Sequence, residues 1–165
     1  MKEQLIKKLK DSEIVLPGEF ILRSGKVSDF YIDIKKAYGD PLTLRMIGES
    51  IFELFDVGVT GVAVMGHGGI PLGTVISVDN NLKLTIVREK PKPYGLSKWI
   101  DGHLPLRGER FALVDDVYTT GSGLIKMREL VSEQGASITG SYVVVLRAAE
   151  KPENLKYLFR PEDLR

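Results

Sequence analysis

The chain has 165 residues, of which 43% are hydrophobic and 27% are charged, a composition typical of a folded globular protein and not of a disordered segment. Its 23 Lys and Arg residues nearly balance its 22 Asp and Glu residues, so net charge gives no reason to expect nucleic acid or a membrane as a partner. Cysteine is absent, which excludes disulfides and thiolate sites and is compatible with a reducing, cytoplasmic location.

The first third of the chain predicts a helix, two extended segments and a second helix. Residues 1–16 carry charged residues around a narrow apolar stripe, as in an amphipathic surface helix, and have no apolar run long enough for a signal peptide or a membrane span. Residues 20–37 predict two extended segments around the Ser-Gly-Lys turn at 24–26. Residues 41–55 place apolar side chains at helical spacing.

The middle of the chain continues with strands and a helix. Residues 61–65, GVAVM, predict a buried strand, and the glycine cluster GHGG follows it directly. We expect the next helix to run from Pro71 to about Val78, since proline fits the first turn of a helix. Residues 82–89 predict a third strand. Residues 90–105, rich in proline and glycine, predict a long exposed loop, with a short ribbon as an alternative.

The last third of the chain completes the pattern that indicates the fold class. Residues 110–117 predict a strand, 122–135 a helix and 137–147 another strand. Strands thus alternate with helices, and several strands are near-continuous apolar runs, as in a sheet covered on both faces. We therefore predict an α/β fold with a mainly parallel central sheet flanked by helices, in a single domain over residues 1–165. Ligands of such folds bind at the carboxyl ends of the strands.

Two adjacent carboxylates, Asp115 and Asp116, stand at the predicted carboxyl end of a central strand. Ionised groups are costly to bury without partners, so we expect them to face solvent, a cation or hydroxyl donors. Residues 119–123 are small, and their backbone N–H groups suit a phosphate together with the positive end of the next helix. The pattern predicts a ribose 5-phosphate moiety, with vicinal hydroxyls on the carboxylates and the phosphate in the loop. The alternative is a structural turn that caps the helix.

The stretch LVDDVYTTGSGL, residues 113–124, resembles the phosphoribosyl diphosphate signature of type I phosphoribosyltransferases. Residues 20–37, 61–77 and 87–95 are similar to segments of the orotate phosphoribosyltransferases, in the same order. The resemblance implies a parallel sheet with flanking helices and a small N-terminal hood, formed mainly by about residues 1–40. It also implies transfer of phosphoribose from 5-phosphoribosyl 1-diphosphate to orotate, giving orotidine 5′-phosphate and diphosphate, with Mg²⁺ as cofactor.

The same resemblance implies which residues form the active site. The catalytic set is Lys92, Arg88, Asp115 and Asp116. The donor-binding set is Lys26, Arg88, Lys92, Tyr94, Asp115, Asp116, Val117, Tyr118, Thr119, Thr120, Gly121, Ser122 and Gly123. The diphosphate is expected at Gly66, His67, Gly68 and Gly69, and the base at Phe30, Tyr31, Thr119 and Arg147. Mg²⁺ is expected to bind donor oxygens without a direct protein ligand, meeting Asp115 or Asp116 through water.

The loop that follows the third strand carries Arg88, Lys90 and Lys92. If this loop closes over the substrate, its cations meet the diphosphate as negative charge builds on it, and closure excludes water. The resemblance implies a homodimer in which loop 88–103 reaches the neighbouring subunit's site. Without the resemblance, the cations are equally well explained as a solvated charge run, and the GHGG cluster as a turn needed for close packing.

Several positions depart from the pattern of the orotate enzymes. Glu89 and Tyr94 replace a basic residue and a histidine of the loop, and Gly68 stands where some relatives have a lysine. The arginine expected to meet the orotate carboxylate, Arg147, comes one position early, before Ala148, and such a shift reverses side-chain direction along a strand. The base therefore stays open. The alternatives are an enzyme for a purine or uracil, a non-catalytic regulator that senses the donor or a nucleotide, and a generic sugar-phosphate binder.

Overall fold

The computed structural model describes residues 2–21, 25, 27–95 and 98–165. Its helices are α1 (Lys2–Asp11), α2 (Pro41–Phe52), α3 (Gly66–Asn80) and α4 (Ser122–Glu133), with short 3-10 helices at Ile34–Gly39 and Pro161–Asp163. Its strands are β1 (Val15–Ile21), β2 (Val27–Ile32), β3 (Gly61–Met65), β4 (Lys83–Val87), β5 (Ile100–Gly102), β6 (Arg110–Tyr118), β7 (Ser137–Leu146) and β8 (Leu155–Phe159). None of the helices in these ranges has the length and apolar character needed to cross a membrane.

Six strands form the central sheet of the described chain, in the order β5-β4-β3-β6-β7-β8. Neighbouring strands run parallel, except that β5 is antiparallel to β4. β1 and β2 form a separate antiparallel hairpin. The predicted α/β class and mainly parallel sheet are therefore confirmed. Because β3 and β6 are parallel neighbours, the glycine cluster after β3 and the acidic pair near the end of β6 lie side by side at the carboxyl ends of these two strands.

The core surrounds the central strands, which are buried on both faces. Val62 and Val64 belong to an apolar cluster that includes residues of α2 and α3, whereas Ala63 between them belongs to a cluster that includes residues of α4. This alternation follows from the two-residue period of a strand. Helix α3 approaches β3 closely at Gly73, where a Cβ would lie 2.2 Å from Cγ1 of Val64. The close approach helps to hold the start of α3 at the end of β3.

Some element boundaries differ from the sequence prediction. Helix α3 begins at Gly66 and not at Pro71, because Gly66 adopts a φ of 70° that turns the chain from β3 directly into the helix. Pro71 therefore lies inside α3, where its missing N–H removes one helical hydrogen bond. The segment 90–105 contains the short strand β5, so the ribbon alternative is correct. The sequence did not predict β8, whose five residues are too few for periodicity to identify a strand.

Candidate active site

A cavity of about 410 Å³ opens at the carboxyl ends of β3 and β6. Its described lining consists of Ile21, Tyr31, Ile32, Lys35, Met65, Gly66, His67, Gly68, Glu89, residues 115–124 and Arg147. Most residues predicted to bind the donor are thus brought together. Five other predicted site residues do not appear among the described lining: Phe30, Gly69, Arg88, Lys92 and Tyr94. Lys26 lies outside the described residues.

The acidic pair lies in the last four residues of β6, and each carboxylate accepts a hydrogen bond from a backbone N–H. Asp115 Oδ1 accepts a hydrogen bond from the Asp116 N–H at 2.9 Å, and Asp116 Oδ1 accepts one from the Val117 N–H at 2.9 Å. The Asp115 carboxylate lies between the first turns of α3 and α4, because Cβ atoms built at Gly69 and Gly123 would lie 3.5 and 3.4 Å from its oxygens. A Cβ at either helix start would thus be in ordinary van der Waals contact with this carboxylate.

The second carboxylate packs directly on the backbone of α3. A Cβ at Gly68 would lie 2.2 Å from Asp116 Cγ and 2.3 and 2.4 Å from its two oxygens. Any larger residue at position 68 would therefore displace Asp116. The observed position of Asp116 therefore requires glycine at position 68, because a side chain and the carboxylate cannot occupy the same space.

The N-termini of two helices face this cavity. Helix α4 begins at Ser122, after Gly121 with a φ of 76°, and helix α3 begins at Gly66, after Met65. Neither start has a side-chain cap among the described residues, so the N–H groups of the first turns can bind an anion, favoured by the helix dipole. Gly121 is required, because a Cβ there would lie 2.5 Å from the Tyr118 ring. Two helix N-termini with the chemistry to bind an anion therefore flank the acidic pair.

The 3-10 helix Ile34–Gly39 forms the wall opposite Asp116. Lys35 Nζ lies 3.2 Å from Asp33 Oδ1 and 3.7 Å from Asp116 Oδ2. Burial alone would lower the pKa of Lys35, but Asp116 and Asp33 outweigh it and raise this pKa above its usual value. From the same short helix, the Tyr38 hydroxyl donates a hydrogen bond to the Gly68 carbonyl at 3.0 Å. Burial, with the nearby Asp116, Asp115 and Asp33, raises the pKa of Tyr38, so its hydroxyl stays protonated.

Arg147 reaches the cavity from the end of β7. Its Nη2 donates hydrogen bonds to Ser28 Oγ at 3.0 Å and to the Phe30 carbonyl at 2.8 Å, and its guanidinium lies 4.9 Å from the centre of the Phe30 ring. Burial lowers the pKa of Arg147, although a guanidinium remains charged. The predicted base-binding arginine therefore lies between the cavity and strand β2, despite its displacement by one position in the sequence.

The predicted loop cations are bound to a carboxylate on β5. Arg88 Nη1 lies 2.8 Å from Asp101 Oδ2, and Lys92 Nζ lies 2.5 Å from Asp101 Oδ1. Both cations lower the pKa of Asp101, Lys92 by the larger amount. These three side chains lie on one ribbon, formed by the described residues 88–95 and 98–102. The ribbon is fixed to α4 by Lys126, which donates to the Glu89 carbonyl at 2.8 Å and lies 4.1 Å from the centre of the Trp99 ring. Tyr94 is 75% exposed. In this arrangement Glu89 lines the cavity, whereas Arg88 and Lys90 are not among its described lining residues.

Sequence reasoning missed Lys35 and did not place Glu89 and Met65 in the site. Lys35 follows the predicted base-binding Tyr31 by four residues, so its position in the N-terminal segment was the available signal. Periodicity does not show that this segment folds back onto Asp116, since that contact joins distant parts of the chain.

Comparisons with known proteins show the family to which the chain belongs. No protein-family model matched the chain. The chain is 41% identical over 158 residues to the orotate phosphoribosyltransferase of Methanocaldococcus jannaschii, covering 94% of this chain and 88% of that protein. It is 38% identical to the Pyrococcus abyssi orotate phosphoribosyltransferase, covering 94% and 87%. The crystal structure of the Aeropyrum pernix orotate phosphoribosyltransferase is 26% identical, with a TM-score of 0.83 over 97% of this chain and 95% of that chain. The chain belongs to the orotate phosphoribosyltransferase family.

Proposed function

We propose that this protein transfers the phosphoribosyl group of 5-phosphoribosyl 1-diphosphate to N1 of orotate, giving orotidine 5′-phosphate and diphosphate. The observation that carries the proposal is the acidic pair, Asp115 and Asp116, between two helix N-termini that face one cavity. A diol-binding group flanked by two anion sites matches a sugar that carries a phosphate at one end and a diphosphate at the other. Family membership supports the choice of orotate as the base.

The donor is oriented by three parts of the cavity. The 5′-phosphate binds at residues 119–123, where small residues precede the start of α4. Asp115 and Asp116 accept hydrogen bonds from the two ribose hydroxyls. The diphosphate binds the first turn of α3, beginning at Gly66. This arrangement holds the sugar at both ends, so its anomeric carbon is directed to a fixed point in the cavity.

The base binds beside the N-terminal hairpin. Tyr31 and Arg147 line the cavity there, and Phe30 lies against the Arg147 guanidinium. The guanidinium offers a planar, permanently charged donor set that suits the orotate carboxylate. A purine or uracil has no carboxylate to pair with this cation, which is the physical reason for preferring orotate over those bases.

Bond breaking develops positive charge on the ribose and negative charge on the diphosphate, as in other glycosyl transfer through an oxocarbenium-like transition state. The N–H groups of α3 stabilise the leaving diphosphate, and the Asp115 and Asp116 carboxylates hold the sugar beside them. Arg88 and Lys92 add to this stabilisation when they leave Asp101 and turn to the cavity. The orotate N1 supplies the electron pair for the new bond to the anomeric carbon as the bond to the diphosphate oxygen breaks, and the N1 proton passes to the leaving diphosphate or to water. No side chain therefore needs to form a covalent intermediate.

Mg²⁺ is part of this proposal. The described residues contain no group of three or more His, Asp or Glu side chains placed to hold a metal ion. Two neighbouring carboxylates at a cavity suit a hard cation that keeps its waters and donor oxygens as ligands. Asp115 or Asp116 would hold Mg²⁺ through such waters, and the bound ion would neutralise part of the diphosphate charge.

The proposal includes a homodimer in which loop 88–103 of one subunit serves the cavity of the other. It is supported by the position of the cations, which lie on a ribbon at the sheet edge, outside the described lining of the chain's own cavity. Mixing an inactive Lys92→Ala protein with an inactive Asp115→Asn protein tests it after subunit exchange. Recovery of activity supports service across subunits, because a heterodimer then has one intact site with an intact loop. A mixture that stays inactive contradicts it.

Diphosphate release tests the reaction itself. The protein is incubated with donor and Mg²⁺, together with orotate, uracil, adenine or guanine in turn. Release with orotate alone, with orotidine 5′-phosphate as product, is the expected result. Release only with another base would assign a different acceptor. Donor binding without release for any base would indicate a donor-sensing protein, and binding of ribose 5-phosphate but not of the donor would indicate a sugar-phosphate binder.

A further inference from the structure

The described lining of the cavity carries more negative than positive side chains, although the proposed donor is an anion. The described lining contains three carboxylates, Glu89, Asp115 and Asp116, and two side chains with a permanent or near-permanent positive charge, Lys35 and Arg147. Arg147 already donates two hydrogen bonds to the N-terminal hairpin. Of the two described cations in this lining, Lys35 is therefore the one with fewer hydrogen bonds to give up when a diphosphate group binds.

Lys35 lies near the proposed diphosphate site. Its Nζ is 3.7 Å from Asp116 Oδ2, and the Asp116 carboxylate rests on Gly68 in the first turn of α3. The 3-10 helix that carries Lys35 is also bound to this turn, because the Tyr38 hydroxyl donates to the Gly68 carbonyl at 3.0 Å. The ammonium thus lies beside Asp116, whose carboxylate contacts the turn of α3 at which the diphosphate is proposed to bind.

The contacts of Lys35 leave it able to bind a ligand. A distance of 3.7 Å exceeds hydrogen-bond length, so the contact with Asp116 is an ion pair without a hydrogen bond. The side chain is 40% exposed, and an ammonium carries three donors for its two carboxylate neighbours. A cation could not come from position 68 itself, because a side chain there would collide with Asp116.

We propose that Lys35 is a diphosphate-binding residue of this enzyme, whose ammonium contacts the diphosphate of the donor and stabilises it as it leaves. The inference rests on the proposed function, since it assigns a residue to the donor of that reaction. In the absence of donor, Lys35 is paired with Asp33 and Asp116. When the donor binds, its ammonium exchanges part of this pairing for diphosphate oxygens, and Asp116 turns to the ribose hydroxyls.

Titration with inorganic diphosphate and Mg²⁺, without any base, tests the proposal directly. Lys35→Met is expected to weaken diphosphate binding by about 10- to 100-fold, the usual loss for a charge-assisted hydrogen bond. Binding of ribose 5-phosphate should change by less than about twofold, since its phosphate binds at α4. Lys35→Arg should retain most of the diphosphate affinity. The matched control is Lys36→Met, since the exposed Lys36 bonds to the Glu13 carbonyl.

Three outcomes would overturn the proposal. The first is a wild-type protein that does not bind diphosphate, and the second is a Lys35→Met protein that binds it as well as wild type. The third is an equal loss of ribose 5-phosphate affinity in Lys35→Met, which would make Lys35 only a positioning residue for Asp116. Because the titration uses no base, failure of the orotate reaction in the wild type would contradict the proposed function while leaving this result interpretable. Circular dichroism and thermal unfolding show whether each variant is folded.

Discussion

Lys92 Nζ donates a hydrogen bond to Asp101 Oδ1 at 2.5 Å, so one of the two cations expected at the leaving diphosphate is bound to a carboxylate of its own ribbon. Arg88 contacts the other oxygen of the same carboxylate at 2.8 Å. A diphosphate that recruits these cations must compete with Asp101. The ribbon therefore has a resting arrangement with its own ion pairs, and these pairs have to break as the loop closes on the bound donor.

Removing the Asp101 charge should make the loop cations easier to recruit. Asp101→Asn is expected to raise kcat about two- to tenfold and to change the donor KM little, because the cations reach the diphosphate only as the loop closes and partly exposed ion pairs of this kind contribute little each. Steady-state kinetics measure the change. Asp79→Asn is the matched control, since Asp79 forms a comparable exposed pair with Arg45, outside the cavity lining. A higher KM or a much lower kcat in Asp101→Asn would mean that the donor-bound enzyme needs this carboxylate.

Lys92→Ala should lower turnover much more than donor affinity. The ammonium is bound to Asp101 in the resting arrangement and meets the diphosphate only as the loop closes, so its loss falls mainly on the transition state. We expect kcat to fall about 100-fold and the donor Kd to change by less than about threefold. Lys7→Ala, an exposed residue of α1, serves as control. Equal losses in kcat and affinity would show that Lys92 contributes only to binding.

Gly68→Ala should damage the site without unfolding the protein. The added Cβ would lie 2.2 Å from Asp116 Cγ, so Asp116 must leave its position beside the first turn of α3. We expect kcat/KM to fall at least about tenfold, with little change in the unfolding temperature. Gly39→Ala is the matched control, because a Cβ there meets no atom within 4 Å. Full activity in Gly68→Ala would mean that the observed position of Asp116 is not needed for catalysis.

Arg147→Met should raise the KM for orotate by about 10- to 100-fold and leave the donor Kd nearly unchanged, since a charge-assisted pair with the orotate carboxylate is lost. Arg165→Met provides the control, because the Arg165 guanidinium lies 3.8 Å from the centre of the Phe30 ring, on which Arg147 also lies. If both variants raise the orotate KM equally, Arg147 acts by holding Phe30 and not by binding the base.

Glu109 should make stability depend on pH below 4.5. Burial alone would raise the pKa of Glu109, but hydrogen bonds from Lys83, His103 and the Leu106 N–H lower it from 4.5 to about 2. A carboxyl group with a lowered folded-state pKa stabilises the fold above its unfolded pKa, and this stabilisation is lost as pH falls toward the folded value. At pH 6 the wild-type protein should therefore unfold at a higher urea concentration than the Glu109→Gln protein. This difference in urea midpoint should shrink as the pH falls from 4.5 to 2. A constant difference would contradict this assignment.

The fold and the centre of the site were predictable because their signals are local. The apolar run of β3 and its neighbours, with alternate residues facing the two helix layers, indicates a covered sheet from spacing alone. Asp115, Asp116 and residues 119–123 lie within nine positions of the chain, so the sequence alone indicates their chemistry. The predicted start of α3 at Pro71 was wrong. Proline is common in the first turn of a helix, but the positive φ of Gly66 lets this helix begin five residues earlier.

The sequence by itself determined the α/β class, the family and the acidic pair beside a phosphate loop, since each depends on residues close together in the chain. The tertiary structure alone decided that Lys35 faces Asp116, that Asp101 binds both loop cations and that Arg147 reaches the cavity. The fold brings distant segments of the chain together at the carboxyl ends of the strands. Only for this reason does Lys35 contact Asp116 and does Arg147 contact the N-terminal hairpin. Asp101 reaches its cations because β5 folds back on β4. Periodicity describes the neighbours of a residue along its own helix or strand, and it holds no information on which side chain lies across a cavity.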